Sequence, residues 1–381
     1  MTFRLPRWFA FGAGLLMFSH PVFAQGNLDS ILPVRGFFIA APRPAELDTF
    51  IRFIHEELAP RHVNTLVIQI DYRYQFRSHP ELVDSFALSH RDVKRIVQEC
   101  QKDHIRIIPS MDMLGHQSWG NRINKLLQVY PQFDETPWIP MPQHYQWPNP
   151  DNLYCKSYCP LAPGLHKILF DVIDEICDAF QADAFHAGMD EVFFIGEDRC
   201  PRCGGRDKAQ LFADEVRRIH DHLAPRGRQM WMWGDRFLDG KTTGLGEWEA
   251  SFNDTYPAID RIPQDIVICD WHYDRADKTA VYFAMKGFQV ISCPWRNPST
   301  AGIQAKDMVQ FREESTPEMS SRFLGVMQTV WSSAEIFLQG FYGKSTDTIK
   351  PQGSQSEWSC FRTMFDQINQ LQDSSFSRAA E

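Results

Sequence analysis

Asp190 and Glu191 stand side by side in the stretch Ala184-Phe185-His186-Ala187-Gly188-Met189-Asp190-Glu191-Val192, directly after an apolar run of strand character. Two adjacent carboxylates brought to the end of a buried strand repel each other and lose hydration. That arrangement suits keeping one group protonated and its neighbour ionised, as acid–base chemistry requires. The competing reading of the same residues is a solvated Asp-Glu pair in a loop. Neighbouring residues of a regular strand point to opposite faces, so both side chains reach one pocket only if the pleat ends at about Gly188.

The elements that would position this pair repeat along the chain. Apolar, β-rich runs at 35–40, 64–70, 105–111, 183–187, 228–233, 265–270, 288–293 and 323–330 alternate with amphipathic stretches such as 45–58, 91–102, 164–180, 206–223 and 274–286. Eight strand-helix units predict an α/β fold of the closed (β/α)8 barrel type, and no Gly-rich dinucleotide fingerprint follows the first strand. Each run ends in residues that a core would waste: Asp71-Tyr72-Arg73, Asp112 with Gly115-His116, Asp190-Glu191, Trp233-Gly234-Asp235, Asp270-Trp271-His272-Tyr273, Trp295-Arg296-Asn297 and Trp331. Acids, a histidine and indoles gathered on the carboxyl-end rim suit a pyranose ring, which offers an apolar face and a hydroxylated edge. The long Pro-, Trp-, Gln- and Asn-rich interruption at 115–163 follows a strand and reads as a loop over the barrel mouth.

Residues 1–24 have the pattern of a cleavable secretory signal peptide. Arg4 and Arg7 precede the apolar stretch Trp8 to Phe18, and Val22-Phe23-Ala24 closes it. A periplasmic or secreted protein without membrane insertion is expected. Removing the leader takes away two arginines and no acid, moving the formal charge from −9 to −11. Nucleic acid and anionic membranes are unsuitable partners for such a chain. Residues 25–345 are expected to form one catalytic domain, and 346–381 a packing helix, centred on 358–371, followed by a disordered tail. Barely ten residues separate the leader from the first strand.

Nine cysteines cannot all pair within one chain. Cys100, Cys177, Cys269 and Cys293 lie in apolar contexts and read as small buried hydrophobes. Cys155 and Cys159, with Cys200 and Cys203 in Cys200-Pro201-Arg202-Cys203-Gly204-Gly205, fit either a structural zinc clasp joining two loops or two disulfides. Neither reading makes them catalytic.

The segment His186-Ala187-Gly188-Met189-Asp190-Glu191 resembles the His-x-Gly-x-Asp-Glu motif of glycoside hydrolase family 20, the exo-acting β-N-acetylhexosaminidases. Arg35-Gly36, Asp71, the run Ile108-Pro109-Ser110-Met111-Asp112-Met113-Leu114-Gly115-His116, Trp233 and Trp331 are similar to further family features in the same order. The resemblance implies a retaining hydrolase that removes terminal β-linked N-acetylhexosamine, GlcNAc or GalNAc, with no metal or organic cofactor. The substrate's own 2-acetamido oxygen would attack the anomeric carbon, giving an oxazolinium intermediate. It further implies that Asp190 orients the acetamido N–H and that Glu191 is acid and then base. Asp71 and His116 would pair to tune Glu191, Arg35 and His186 would belong to the substrate site, and Trp233, Trp271, Trp295 and Trp331 would wall the sugar.

The chain departs from the family pattern at Ser110, at Trp331-Ser332-Ser333 and at Cys293-Pro294-Trp295-Arg296-Asn297. The family carries a Glu at each of the first two places and a Tyr and an Asp at the third; Tyr273 is a candidate for the missing phenol. The small α/β accessory domain that usually precedes the barrel is not expected. Two other readings stand beside this one. They are a non-catalytic sugar-binding barrel and a metal-dependent barrel hydrolase using Asp112, His116, His186 and His272.

Overall fold

The structure, a computed structural model, describes residues 25–343 and 355–379, with side chains placed for 28–343 and 355–370. The leader expected at 1–24 and part of the tail expected at 346–381 lie outside these residues. Eight parallel strands close into a barrel in sequence order: β1 Val34–Ala40, β2 Thr65–Gln69, β3 Arg106–Met113, β4 Ala184–Gly188, β5 Gln229–Trp233, β6 Val267–Trp271, β7 Gln289–Cys293 and β8 Phe323–Thr329. The ring is completed where β1 pairs with β8, from Val34 opposite Gly325 to Phe38 opposite Thr329.

Strands apolar on both faces explain why the sequence closes in this way. One alternating set, including Phe38, Val67, Ile108, Trp231, Trp233, Cys269, Ile291, Cys293 and Met327, fills the interior. The other, including Phe37, Ile39, Leu66, Ile68, Phe185, Met232 and Val290, packs against the surrounding helices. The period of two sorts these sets, and burial on both faces is what a parallel barrel demands. At Gly36 a Cβ would come within 2.8 Å of the Met327 side chain, so the glycine leaves room for interior packing.

Helices at His90–Lys102, Leu165–Phe180 and Lys208–Leu223 follow the expected amphipathic stretches. The first starts on a capping box between Ser89 and Asp92, the third on an Asp207 cap. The stretch expected as one helix at 45–58 changes winding along its length, α-helical over Leu47–Phe53 and wider over Ile54–Leu58. That expected at 274–286 shortens to Thr279–Met285. The helix Pro298–Glu314 was not foreseen; an Asn-Pro start and Gly302 hide it, although Asn297 caps it and Pro298 sits where proline is tolerated.

The C-terminal helix, Glu357–Ala379, packs as expected and extends past the predicted segment. Phe361 lies 5.2 Å from Phe37 and 5.3 Å from Phe53, in an aromatic cluster completed by Phe337 and Phe341. Burying each such ring stabilises by about 1.5–3 kcal/mol, which fixes the start of this helix against the β8 and β1 side of the barrel. No helix among the described residues is long and apolar enough to cross a membrane.

Candidate active site

The strand pleat ends at Gly188. Gly188, Met189 and Glu191 adopt φ of 63°, 68° and 48°, so the backbone turns and delivers both carboxylates to one cavity. Glycine suits the first of these positions because its φ is left-handed and a Cβ would stand 3.0 Å from Asp112 Oδ1. Asp71, Leu114 and His116 on the adjacent strand ends also have positive φ. Strained backbone of this kind persists only where surrounding structure over-determines it.

The cavity at the carboxyl ends of the strands has a volume of about 630 Å³. Asp71, His116, Asp190, Glu191, Trp271, Tyr273, Trp295 and Trp331 line it, as foreseen. His116 lies 3.3 Å from Asp190 Oδ2 and 3.1 Å from Glu191 Oε2 through the same Nε2, so one N–H is shared between two carboxylates. Burial disfavours the His116 cation, yet the Asp190 charge and the bonds to both acids hold its pKa well above the usual histidine value. Burial likewise opposes ionisation of Asp190, and His116 more than offsets it, leaving Asp190 below the usual carboxylate range. The second oxygen, Asp190 Oδ1, is buried with no hydrogen-bond partner.

Beside this trio, Asp71 accepts the Asp112 backbone N–H at 3.0 Å, and Gln69 donates to Asp112 Oδ2 at 3.0 Å. Burial pushes both carboxyls up, Asp112 the more strongly, with Asp71 as its nearest like charge. The expected bond between Asp71 and His116 does not form; His116 turns to Asp190 and Glu191. Asp235, one turn beyond β5, accepts the Glu191 backbone N–H at 3.0 Å, the Arg236 Nε–H at 2.6 Å and the Trp271 indole N–H at 3.2 Å. Burial raises its carboxyl to about 6 against the pull of Arg236. Asp235 thus fixes the peptide carrying Glu191 and the indole of Trp271.

Three expected substrate residues sit elsewhere. Arg35 is at the amino end of β1, where its guanidinium bonds the carbonyls of Leu32 and His62 at 2.7 Å and pairs with Asp29 at 2.8 Å. The cation at the rim is instead Arg73, just after β2. His186 and Trp233 point inward from β4 and β5, 4.5 Å apart and edge-to-face, as the aromatic floor below the cavity. Strand parity explains both: His186 precedes the bend at Gly188 that lets Asp190 and Glu191 turn outward. His186 Nδ1 accepts the Gly188 N–H at 3.2 Å and lies 3.2 Å from Ser110 Oγ. Ser110, a departure from the family pattern, therefore serves the interior.

The loop over 115–163 contributes as anticipated, placing His116, Trp119, Asn124 and Tyr154 on the cavity wall. Trp119 lies in a short hairpin, Ser118–Trp119 with Arg122–Ile123, and its ring is 5.6 Å from that of Tyr154. Trp248 and Glu249, from the loop after β5, complete this wall. Trp119, Tyr154 and Trp248 were missed because loop aromatics carry no periodic signal. Arg73 and Asp112 were visible at strand ends, with nothing in the sequence to rank them.

The opposite wall is aromatic. Tyr273 stacks on Trp271 with centroids 4.8 Å apart, and its hydroxyl accepts the Trp331 indole N–H at 2.7 Å. Burial, with Asp190 and Glu191 facing it, keeps the Tyr273 phenol protonated by raising its pKa well above the usual value. Glu357, at the start of the C-terminal helix, accepts from the Trp295 indole at 2.6 Å and the Trp331 backbone N–H at 2.8 Å, and also from Ser332.

The residues of the metal-dependent reading are not brought together. His272 is tied 2.6 Å from Glu249 and Thr279, and His186 is buried in the interior against Phe38 and Trp233. His116, Asp190 and Glu191 do present three donor atoms within 4.8 Å, a spacing a cation can also use. Of the four loop cysteines, Cys159, Cys200 and Cys203 converge, while Cys155 stands apart with its thiol directed at the Glu191 carbonyl, 3.5 Å away. All nine cysteines are buried and free of disulfides.

The sequence model of the glycosyl hydrolase family 20 catalytic domain matches residues 61–335. A β-hexosaminidase of Emericella nidulans is 25% identical over 68% of this chain and 43% of its own length. Flavobacterium johnsoniae chitobiase superposes with a TM-score of 0.59 over 90% of this chain and 50% of its own, at 17% identity. An exo-β-N-acetylglucosaminidase of Vibrio harveyi gives 0.57 over 90% and 58%, at 16% identity. The chain thus spans less than half the length of that fungal relative and about half that of the solved ones; the solved structures share its fold. With most of its barrel matched by the family's catalytic domain, the chain belongs to glycosyl hydrolase family 20.

Proposed function

We propose that this chain is a retaining, exo-acting β-N-acetylhexosaminidase working by substrate-assisted catalysis. The observation that carries this reading is the partnerless Asp190 Oδ1, an ionised, buried acceptor beside Glu191. Leaving such an acceptor unmet costs roughly 1–3 kcal/mol, and an amide N–H of a bound 2-acetamido sugar offsets that cost.

Asp190 then accepts the acetamido N–H, while the Tyr273 hydroxyl, already accepting from Trp331, donates a hydrogen bond to the acetamide oxygen and keeps its proton. Held in this way, that oxygen attacks the anomeric carbon as the glycosidic C–O bond breaks, and Glu191 gives its proton to the departing oxygen. The resulting oxazolinium carries positive charge next to ionised Asp190, which stabilises it. Water attacks the same carbon, passes a proton to Glu191 and restores the amide with retained configuration. Arg73, Asp71 and Asp112 face the ring hydroxyls, and the indoles of Trp119, Trp248, Trp271, Trp295 and Trp331 cover its apolar surface. The names of the relatives favour N-acetylglucosamine as the sugar. We also propose export, on the leader pattern of residues 1–24.

A panel of aryl β-glycosides with and without the 2-acetamido group tests the reading, with gluco and galacto forms in parallel. Strong preference for the acetamido sugars is expected, and equal turnover of both would sink it. A chelator arm, with the fold monitored by tryptophan fluorescence, serves as the control: abolished activity in a still-folded protein would instead point to a cation on His116, Asp190 and Glu191.

A further inference from the structure

Outside the sugar cavity, three cysteine sulfurs and one carboxylate meet in the interior. Cys159 Sγ lies 3.6 Å from Cys203 Sγ and 3.7 Å from Cys200 Sγ. Glu135 Oε1 and Oε2 lie 2.9 and 3.1 Å from Cys203 Sγ, and all four donor atoms fall within 4.8 Å of one another. Two thiolates bound tetrahedrally at the usual zinc–sulfur length of ~2.3 Å stand about 3.8 Å apart, close to both measured separations. A thiolate and a zinc-bound carboxylate oxygen would stand ~3.5 Å apart, so Glu135 needs only a small rotation outward.

We infer that Glu135, Cys159, Cys200 and Cys203 form a structural zinc site that ties the loop over the barrel mouth to the loop following the Asp190-Glu191 pair.

The surroundings are those of a thiolate cluster. The Cys-Pro-Arg-Cys-Gly turn is closed by Gly204 N–H donating to the Cys200 carbonyl at 2.9 Å. A Cβ on Gly204 would stand 2.6 Å from the Asp198 carbonyl, so this tight turn needs its glycine. The guanidinium of Arg202 bonds the carbonyls of Gln132 and Asp134 at 2.6 and 2.8 Å and faces Cys159 and Cys200, offsetting the excess negative charge of three thiolates and a carboxylate around one dication. Glu135 is fully buried, and its Oε1 accepts the Glu197 N–H at 3.0 Å. No lysine or arginine forms a direct ion pair with it among the described residues, and a metal would supply the contacting positive charge. A disulfide from Cys159 to either partner would consume two sulfurs and leave the third thiol facing that carboxylate.

The site lies near the chemistry without entering it. Cys159 follows Tyr154 of the cavity wall by one short turn of loop, and Cys200 follows Glu191 on the other. Both loops already reach the core, through Leu126, Leu127 and Phe133 on one and Val192 and Ile195 on the other; closing them on one ion adds a cross-link between them, and zinc binding then contributes directly to folding.

The test uses the full chain purified from zinc-supplemented cells without chelator. Elemental analysis should give about one zinc per chain. Cys155→Ser should retain the metal, whereas Cys159→Ser should lose it and Glu135→Gln should weaken retention by more than about tenfold. Should the last two variants fail to fold, cobalt exchanged into the wild-type protein gives the readout, with strong thiolate-to-metal charge transfer and the visible bands of a tetrahedral ion. Far less than one zinc per chain, equal metal in Cys159→Ser, or cobalt spectra without thiolate bands would overturn the inference. So would a denatured, unreduced chain with two thiols fewer than the nine in the sequence, which would establish a disulfide instead.

Discussion

The acidic half of the rim, built on the ends of β2 to β5, and the aromatic half, built on β6 to β8, are held in place by opposite means. On the acidic side, left-handed backbone at Asp71, Leu114, His116, Met189 and Glu191 aims the side chains, and shared protons hold them. On the aromatic side the rings stack on one another, and Glu357 on a helix distant in sequence ties two of them down. Placing charge precisely requires local strain and hydrogen bonds. Presenting an apolar wall requires area and an anchor.

If this division is right, damage to the acidic side strikes turnover and damage to the aromatic side strikes binding. The largest effects fall on the two carboxylates. Glu191→Gln should lower kcat on substrates with poor leaving groups by about 10²–10⁴-fold and much less on activated aryl glycosides; equal losses on both would refute its role as acid. Asp190→Asn should lower kcat by ~10²–10³-fold and remove the preference for acetamido over plain glycosides, measured on the same panel.

Gly188→Ala probes the bend itself. A side chain at φ 63° against Asp112 should cost roughly 1–3 kcal/mol of stability and depress kcat together with it, while KM for the residual activity stays close to wild type. An active, fully stable variant would show that the bend is not what aims the acids. On the aromatic side, Glu357→Ala should cost about 1–3 kcal/mol and raise KM several-fold with kcat little changed. A kcat effect of the size seen in Asp190→Asn would erase the distinction between the two halves.

The smallest effect is on the pH dependence of stability. The folded pKa of His116 is raised, so its contribution is fully present below about 6.5 and is lost as pH rises through the folded value. That of Asp190 is lowered, so its contribution is present above about 3.8 and lost as pH falls through the folded value. The pair therefore stabilises most strongly between these limits. His116→Gln should remove on the order of 1 kcal/mol there and flatten Tm against pH on the alkaline side; a parallel downward displacement of the whole curve would contradict the ion pair.

Much of the fold was legible because barrel strands buried on both faces leave continuous apolar runs, and each observed strand begins and ends within two residues of its run. The carboxylate pair was legible for the same reason, lying directly past a buried strand. Arg35 and His186 misled because a motif gives residue order without direction: Arg35 lies at the opposite end of its strand from the cavity, and His186 sits before the bend. Trp233 likewise faces inward as floor. Asp235 lay in plain view after β5, yet its grip on the Glu191 peptide is a contact across 44 positions.

By itself the sequence determined the barrel, its strand order and the acids at its mouth, because periodicity and burial are properties of each segment taken alone. Tertiary structure alone decided that His116 bridges Asp190 and Glu191 and bypasses Asp71, that Glu135 replaces Cys155 beside three sulfurs, and that Glu357 steadies the aromatic wall. Each of these is a contact between distant segments whose geometry follows from loop paths and left-handed turns, and spacing along the chain does not encode it.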